Sequence, residues 1–263
     1  MSRVVVKLGG HALDDLGPES AVLGALARDV ADLRARGVHV ALVHGGGPQI
    51  AALLDEAGVA STFHEGLRVT DERAMPYVAM ALGLVNLHVV AALNHAGVSA
   101  VGLTGADDSS VLAEAIGGDW GRVGTAPTVG TTLIERLWEV GVTPVLSPVA
   151  LDAAGRLVNV NADTTAGALA AAVGADSLVL LSDVDQVRRD ADDPDSAIES
   201  LTRDDAESLL AEGAAREGMR PKLRAALDAV AAGAVRVILA NGSRPHALRD
   251  VLAGDAPTTQ VFA

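Results

Sequence analysis

Two lysine residues are the first candidates for chemistry in this sequence. All of its 20 basic residues are arginine except Lys7 and Lys222. A chain that favours arginine this strongly should keep lysine where a compact point charge is needed. The count alone is equally compatible with two leftover residues. Lys222, however, ends the segment Gly218-Met219-Arg220-Pro221-Lys222 at a predicted helix start, where a cation opposes the helix dipole. This position favours a functional role.

Two glycine turns each follow an apolar segment. His44-Gly45-Gly46-Gly47-Pro48 leads from a predicted strand into a predicted helix, and Lys7-Leu8-Gly9-Gly10 ends the first predicted strand. Backbone N–H groups without neighbouring side chains can approach an anion closely, and a helix N-terminus adds partial positive charge. In an open parallel sheet both turns would face one crevice beyond the carboxyl ends of the strands. A bare tight turn explains either segment about as well as an anion cradle does.

An acidic residue, Asp163, lies near the start of another predicted helix, after Asn159-Val160-Asn161-Ala162. Two interpretations stay open: Asp163 caps that helix, or its carboxylate holds two ammonium groups together in the crevice. The phosphate-binding fingerprints G-x-x-x-x-G-K-[ST] and G-x-G-x-x-G are both absent from the sequence. A P-loop NTPase and a standard dinucleotide-binding dehydrogenase are therefore disfavoured.

Composition argues against several other classes of function. The net charge of −14 would repel phosphate backbones, so we expect no nucleic-acid partner. The chain has no cysteine, and its seven histidines lack metal-ligand spacing, so we expect neither disulfides nor metal-ligating residues. Polar and turn residues interrupt the uncharged stretch 74–106, which predicts a buried or dimer-interface helix instead of a membrane span. The first residues do not resemble a signal peptide, and we expect a cytoplasmic protein.

Apolar β-branched segments alternate with Ala/Leu-rich helical patterns along the chain. Strands are predicted at residues 4–7, 38–43, 99–103, 142–148, 177–182 and 235–240, with an edge strand at 259–262. Helices are predicted at residues 20–36, 48–57, 72–96, 131–140, 163–173, 204–212, 220–232 and 245–252. Such alternation indicates an α/β fold with a largely parallel sheet. We predict an N-terminal lobe, residues 1–150, and a C-terminal lobe, residues 151–263, that share one sheet.

Seven segments, in order along nearly the whole chain, resemble the motifs of the amino acid kinase family. They are Lys7-Leu8-Gly9-Gly10, His44-Gly45-Gly46-Gly47, Gly66-Leu67-Arg68-Val69-Thr70, Gly121-Arg122-Val123-Gly124, residues 159–163, Ser182-Asp183-Val184-Asp185 and Gly218-Met219-Arg220-Pro221-Lys222. The first two and the last are general to the family. Residues 66–70 together with 159–163 resemble the members that phosphorylate N-acetyl-L-glutamate. The resemblance implies a three-layer αβα sandwich that uses ATP and Mg²⁺.

The resemblance also implies a role for individual residues. Lys7 and Lys222 would stabilise the phosphoryl group during transfer, and Asp163 would organise both lysines. The residues implied to bind N-acetyl-L-glutamate are Gly45, Gly46, Arg68 and Asn159, with Arg68 pairing with the α-carboxylate. The residues implied to contact the nucleotide are Gly9, Gly10, Asp183, Val184, Asp185, Gln186, Val187, Arg188, Ala214, Ala215 and Arg216. His44 is expected to be a structural hydrogen-bonding residue and not an acid or base.

The sequence departs from the family pattern at two positions. Gln186 and His11 stand where many members carry glycine and asparagine, and a side chain at position 186 could narrow the nucleotide site. Hexameric, arginine-inhibited members of the family carry an extra N-terminal helix, whereas the first predicted strand here starts within three or four residues. The resemblance therefore implies a homodimer that is insensitive to arginine, and we expect the uncharged helix at 72–96 to be the dimer surface. Two alternatives stay open: a kinase of acetylaminoadipate or of a carrier-bound acyl acceptor, and a non-catalytic ligand-sensing relative.

Overall fold

The computed structural model describes residues 1–190, 192–211 and 220–262 of the chain. In that part of the chain the strands are Arg3–Leu8 (β1), His39–His44 (β2), Phe63–His64 (β3), Leu67–Arg68 (β4), Ala100–Thr104 (β5), Val111–Ala115 (β6), Val123–Val129 (β7), Thr143–Ser147 (β8), Val149–Leu151 (β9), Leu157–Val160 (β10), Ser177–Ser182 (β11), Val187–Arg188 (β12), Ala197–Ile198 (β13), Ser200–Thr202 (β14), Arg236–Asn241 (β15) and Thr258–Phe262 (β16). The α-helices are Ala21–Ala35 (α1), Gly47–Glu56 (α2), Met75–His95 (α3), Thr132–Glu139 (α4), Ala162–Ala172 (α5), Arg203–Ala211 (α6), Arg220–Ala231 (α7) and Ala247–Ala253 (α8).

An eight-stranded sheet runs through the centre of the structure in the order β14-β16-β15-β11-β1-β2-β8-β5. Every neighbouring pair is parallel except β15 and β16. The prediction of a largely parallel sheet is confirmed, and strands from both predicted lobes lie side by side in it. The prediction that residues 259–262 form an edge strand is wrong, because β14 pairs with β16 on its outer side. The three residues of β14 are too few to give a strand pattern in the sequence.

Helices cover both faces of this sheet and make the αβα sandwich. Because side chains alternate along a strand, Val5 points to one face of β1 while Val4 and Val6 point to the other. The Val5 face packs with α5 and α7 in one hydrophobic core. The Val4 face packs with α1, α3 and α8 in a second core. Lys7 follows the parity of Val5 and therefore lies on the face that α5 and α7 cover.

Three smaller β units, which the sequence analysis did not predict, stand beside the sheet in the described part of the chain, and one of them is the antiparallel pair β12 and β13. Strands β6, β7, β9 and β10 close into a barrel whose side chains join the core on the α5 face. Strands β3 and β4 form a hairpin through Glu65 and Gly66, whose φ angles of 50° and 80° fit a tight two-residue hairpin turn. The barrel and the hairpin bring residues 63–70 and 157–160 to the same end of the molecule.

Helix α3 is long and apolar enough to cross a membrane by length and composition alone, and it is the one such helix in the described ranges. Eight residues of this helix are buried in the protein, among them Val78, Leu82 and Val85. Core helices of soluble proteins share these properties, so the helix by itself says little about a membrane.

Candidate active site

The two glycine turns begin at the same edge of the sheet. The backbone N–H of Gly9 donates to Leu181 on one side at 3.1 Å, and the N–H of Gly45 donates to Leu8 on the other at 2.8 Å. These bonds continue the ladders of β1 past its end, because Leu8 is in register with both Leu181 and His44. Both turns therefore follow adjacent strands at the carboxyl edge of the sheet, where a parallel sheet places its ligand crevice.

Lys7, near the end of β1, forms an ion pair with Asp163 at the start of α5, with Nζ 2.8 Å from Oδ1. The side chains are 11% and 18% exposed, so the pair is mostly withdrawn from water. A Cβ at position 9 would collide with the ammonium group of Lys7 in its observed place, so a side chain there would displace the lysine from Asp163. A glycine turn thus makes room for the lysine as well as freeing backbone N–H groups.

The interpretation of Asp163 as a helix cap is wrong, because Asn161 has that role. The side-chain Oδ1 of Asn161 accepts the backbone N–H groups of Asp163 and Thr164 at 2.8 and 3.1 Å. The carboxylate of Asp163 is therefore left for Lys7. The partial positive charge at the N-terminus of α5 also stabilises the Asp163 carboxylate, which is therefore stabilised by the helix as well as by Lys7.

Lys222 lies in the first turn of α7 and forms an ion pair with Asp183, with Nζ 2.7 Å from Oδ1. Asp183 directly follows β11, and β11 is hydrogen-bonded to β1. The two lysines are thus held at the ends of neighbouring strands, on the sheet face that α5 and α7 cover. The sequence analysis did not predict Asp183 as the partner of Lys222. The expected contact between Asp163 and Lys222 stays a prediction, whereas that between Asp163 and Lys7 is observed.

A cavity of about 160 Å³ lies beside the second glycine turn. Its walls contain all four residues that the resemblance implies for substrate binding, which are Gly45, Gly46, Arg68 and Asn159. Phe63, Leu82 and Pro148 add apolar surface. The volume is below the roughly 300–1,000 Å³ of pockets for drug-sized ligands, so this space suits a small acid better than a nucleotide.

Arg68 brings a buried positive charge to this cavity. Its guanidinium group donates to the carbonyl of Gly47 at 2.9 Å, bonds the hydroxyl of Ser61 and lies 4.5 Å above the Phe63 ring. Within the described residues it forms no ion pair with a carboxylate. Burial lowers the pKa of Arg68 from its usual value by desolvation. A buried cation that has no counter-charge among the described residues and lies beside an open cavity is a strong recognition element for an anionic ligand.

Thr70 ties Arg68 to Asn159. The fully buried Thr70 hydroxyl donates to the backbone carbonyl of Arg68 at 2.9 Å and accepts from the side-chain amide of Asn159 at 3.0 Å. The backbone N–H of Asn159 in turn donates to Arg122 at 2.8 Å. The hairpin and the barrel are thereby held in one arrangement. The sequence analysis missed this role of Thr70, although its place in the motif 66–70 was a signal for it.

His44 is a structural hydrogen-bonding residue, as predicted. Its ring is completely buried, with Nδ1 2.8 Å from the carbonyl of Gly45 and Nε2 3.0 Å from the amide nitrogen of Asn86. Burial lowers the pKa of His44 to about 4, so the ring is neutral at physiological pH. Asn86 donates to Nε2, so the proton of the neutral ring is on Nδ1 and points to Gly45. The imidazole fixes the glycine turn and is not available for proton transfer.

The segment expected to contact the nucleotide crosses the ends of β11, β15 and β16. Asp185 accepts from Arg244 at 2.8 Å, and the Gln186 side chain donates to the carbonyl of Thr258 at 3.0 Å. Val184 and Val187 bond Ser182 and Thr259 through their backbone N–H groups, and Arg188 lies in β12. The side chain of Gln186 is thus hydrogen-bonded to β16. Gly10 begins a short 3-10 turn, and Ala214, Ala215 and Arg216 lie outside the described residues.

Comparisons with known proteins identify the family of the chain. A profile of the amino acid kinase family matches residues 2–241. An acetylglutamate kinase of Prochlorococcus marinus (strain NATL1A) is 40% identical over 248 residues, which are 94% of this chain and 80% of that protein. An acetylglutamate kinase of Rubrobacter xylanophilus is 42% identical over 262 residues, which are 99% of this chain and 97% of that protein.

A solved structure shows the same fold. The N-acetylglutamate synthase of Neisseria gonorrhoeae, complexed with coenzyme A and N-acetyl-glutamate, has a TM-score of 0.84 at 24% sequence identity. The match covers 100% of this chain and 59% of the synthase chain, so this chain corresponds to about three-fifths of that protein. The family profile and the two relatives extend over most of the sequence and agree with the architecture, and this chain belongs to the amino acid kinase family.

Proposed function

We propose that this chain transfers a phosphoryl group from ATP to the side-chain carboxylate of N-acetyl-L-glutamate. The product is N-acetyl-L-glutamyl 5-phosphate, an intermediate of arginine biosynthesis. The relatives named acetylglutamate kinase, at 40 and 42% identity over nearly the whole chain, support this activity. The single structural observation that carries it is the buried Arg68 guanidinium, which faces a small cavity without a carboxylate partner among the described residues.

Substrate binding follows from the walls of the cavity. Arg68 would form a bidentate pair with the α-carboxylate, because its planar guanidinium matches the geometry of a carboxylate. Gly45, whose carbonyl accepts from His44, would line the cavity beside the substrate, and the backbone N–H of Gly46 would bind the other polar end of the molecule. Asn159 would bond the acetamido group. With both ends fixed, the side-chain carboxylate would point to the crevice where Lys7 lies.

The chemistry needs charge neutralisation and not a general base. A glutamate side chain in water has a pKa of about 4.3, so the attacking carboxylate is already ionised at neutral pH. The obstacle is that an anion must approach the anionic phosphoryl group. Lys7, Lys222 and the backbone N–H of Gly10 would stabilise the transferred group, and Asp163 would hold Lys7 in position.

ATP would bind over the C-terminal part of the sheet. We propose that Gly9, residues 183–188 and residues 214–216 border the nucleotide. We also propose that Mg²⁺ binds as a complex with the phosphates of ATP. Magnesium in kinases is held by phosphate oxygens, water and only one or two carboxylates. Lobes 1–150 and 151–263 would then bind the amino acid and the nucleotide, except that Asn159 from the second lobe also lines the amino-acid cavity.

We further propose that the chain acts as a homodimer in the cytoplasm. Helix α3 exposes Met80, Leu84 and Leu87 to solvent at 54, 55 and 67%. These residues follow one another at helical spacing and form an apolar stripe on an uncharged helix, which a second copy would cover. Sedimentation of the purified protein tests the proposal, and a monomer at micromolar concentration would contradict it.

A coupled assay of ADP release tests the activity. We expect ADP formation with ATP, Mg²⁺ and N-acetyl-L-glutamate, and none without the acid. Faster turnover with N-acetyl-L-2-aminoadipate or a carrier-bound acyl acceptor would identify a different substrate. No turnover with any of these acids, combined with binding of N-acetyl-L-glutamate in calorimetry, would indicate a ligand-sensing protein.

A further inference from the structure

The helices that carry Asp163 and Lys222 pack directly against each other. A Cβ placed on Gly167 of α5 would lie 2.9 Å from the Cβ of Ala229 in α7 and 3.1 Å from its Cα. One turn further, just past the end of α7, a Cβ on Gly233 would lie 3.9 Å from the Cβ of Ala171. Both contacts advance by four residues in the same direction, so α5 and α7 run parallel, and Gly167 lies directly against Ala229.

Both site residues lie on the side of their helices that makes this contact. Asp163 precedes Gly167 by four residues, and Lys222 precedes Ala229 by seven, which are about one and two helical turns. At a rise of about 1.5 Å per residue, the two residues stand about 6 and 10 Å from the contact, toward the helix N-termini. Helical side chains lean toward the N-terminus, so both groups project to the carboxyl edge of the sheet.

Glycine at position 167 has no local explanation. Helix α5 contains six alanines among its eleven residues. Glycine is less favourable than alanine inside a helix, because it loses more backbone freedom on folding. The sequence therefore has glycine instead of alanine at position 167, where the structure leaves no room for a methyl group.

We propose that Gly167 and Ala229 are positioning residues that set the separation between Lys222 and the Lys7–Asp163 pair. The inference rests on the proposed function, because it assigns both lysines to one transferred phosphoryl group. Carbon atoms pack at about 3.5–4.0 Å, so a methyl group on residue 167 must move α7 away by about 1 Å. Such a displacement of a group that stabilises the transition state can cost up to about 10²-fold in rate.

Gly167→Ala tests the proposal. We expect kcat to fall about 10- to 100-fold, with the KM for N-acetyl-L-glutamate within about threefold of wild type, because α7 contributes no residue to the walls of the amino-acid cavity. The double variant Gly167→Ala/Ala229→Gly removes the opposing methyl group and should recover most of the lost kcat. Gly24→Ala in α1 is the matched control, since its added Cβ would make an ordinary contact of 3.6 Å with Arg28. That variant should keep wild-type kinetics.

A second comparison separates positioning from general packing. If Gly167→Ala acts through Lys222, it should change kcat less than about twofold when Lys222→Ala is already present. Crystals of Gly167→Ala should show the Lys222 ammonium displaced by about 1 Å while the Lys7–Asp163 pair is retained, a readout that needs no turnover. Ala229→Ser enlarges the same contact from the other helix and should reproduce the loss if Gly167→Ala does not fold.

Two results would overturn the proposal. One is an equal loss of kcat in the wild-type and Lys222→Ala backgrounds, and the other is no recovery in the double variant. Wild-type protein without ADP formation would instead contradict the proposed function. In that case the displacement of Lys222 in the crystal still tests the contact itself.

Discussion

Replacement of Lys7 by alanine is the most direct test of the site. Lys7 is 11% exposed and holds Asp163 at 2.8 Å. Two unit charges about 4 Å apart interact by about 4 kcal/mol at the effective dielectric of a protein surface, and loss of one stabilising donor typically costs about 3–4 kcal/mol of barrier. We therefore expect Lys7→Ala to lower kcat about 10²–10³-fold.

The partner residue adds a second expectation. In Lys7→Ala the carboxylate of Asp163 remains beside the transferred phosphoryl group without its cation and repels it. Lys7→Ala/Asp163→Asn removes that charge and should be about tenfold faster than Lys7→Ala alone, although far slower than wild type. The exposed pair Arg203–Glu207 supplies the control, since Arg203→Ala should leave kcat unchanged.

The assay is steady-state ADP release at saturating ATP and N-acetyl-L-glutamate, with circular dichroism to confirm that each variant is folded. Near-normal kcat in Lys7→Ala would refute the assigned role of this lysine. A double variant that is slower than Lys7→Ala would refute the electrostatic account of Asp163.

Three further predictions concern other parts of the site. Arg68→Ala should raise the KM for N-acetyl-L-glutamate about 10²-fold with a smaller effect on kcat, because the substrate carboxylate loses its buried partner; an unchanged KM in steady-state kinetics would contradict this. The free energy of unfolding should fall by up to about 3 kcal/mol as the pH drops from about 6.5 to about 4, because His44 has a depressed pKa in the folded state and the unfolded chain binds the extra proton. Urea unfolding of His44→Gln should lack this component, and the same pH dependence in wild type and variant would exclude His44 as its source. Gln186→Gly should raise the KM for ATP about fivefold by removing the bond to Thr258, whereas a lower KM would show that the side chain narrows the nucleotide site.

Local sequence patterns predicted the elements that carry the site. The strand ending at Lys7, the turn at Gly45 and Gly46 and the start of the helix at Asp163 lie within one residue of their expected positions. These features depend on neighbouring residues: apolar β-branched segments form buried strands, and glycine and proline interrupt them. Because lysine occurs only twice among 20 basic residues, the composition indicated Lys7 and Lys222 as candidates for function.

Hydrogen-bond partners were less predictable, because they depend on which elements meet. Asn161 and Asp163 are both good capping residues, and only the placement of α5 beside Lys7 decided which one caps. Asp183 meets Lys222 because α7 packs on the sheet face that includes β11, although helix and strand are distant along the chain. Strands β9 and β10 have only three and four residues, too few for a periodic pattern, so the sequence did not predict the barrel that carries Asn159.

The sequence by itself determined which elements form, where the glycine turns interrupt them and which cations are unusual, because these are properties of residues close together in the chain. Only the tertiary structure decided that Arg68 reaches a cavity without a counter-charge among the described residues, that Thr70 joins Arg68 to Asn159, and that α5 and α7 meet at Gly167. Those contacts arise from burial of the two sheet faces and from strand register, and both couple residues that lie far apart in the sequence.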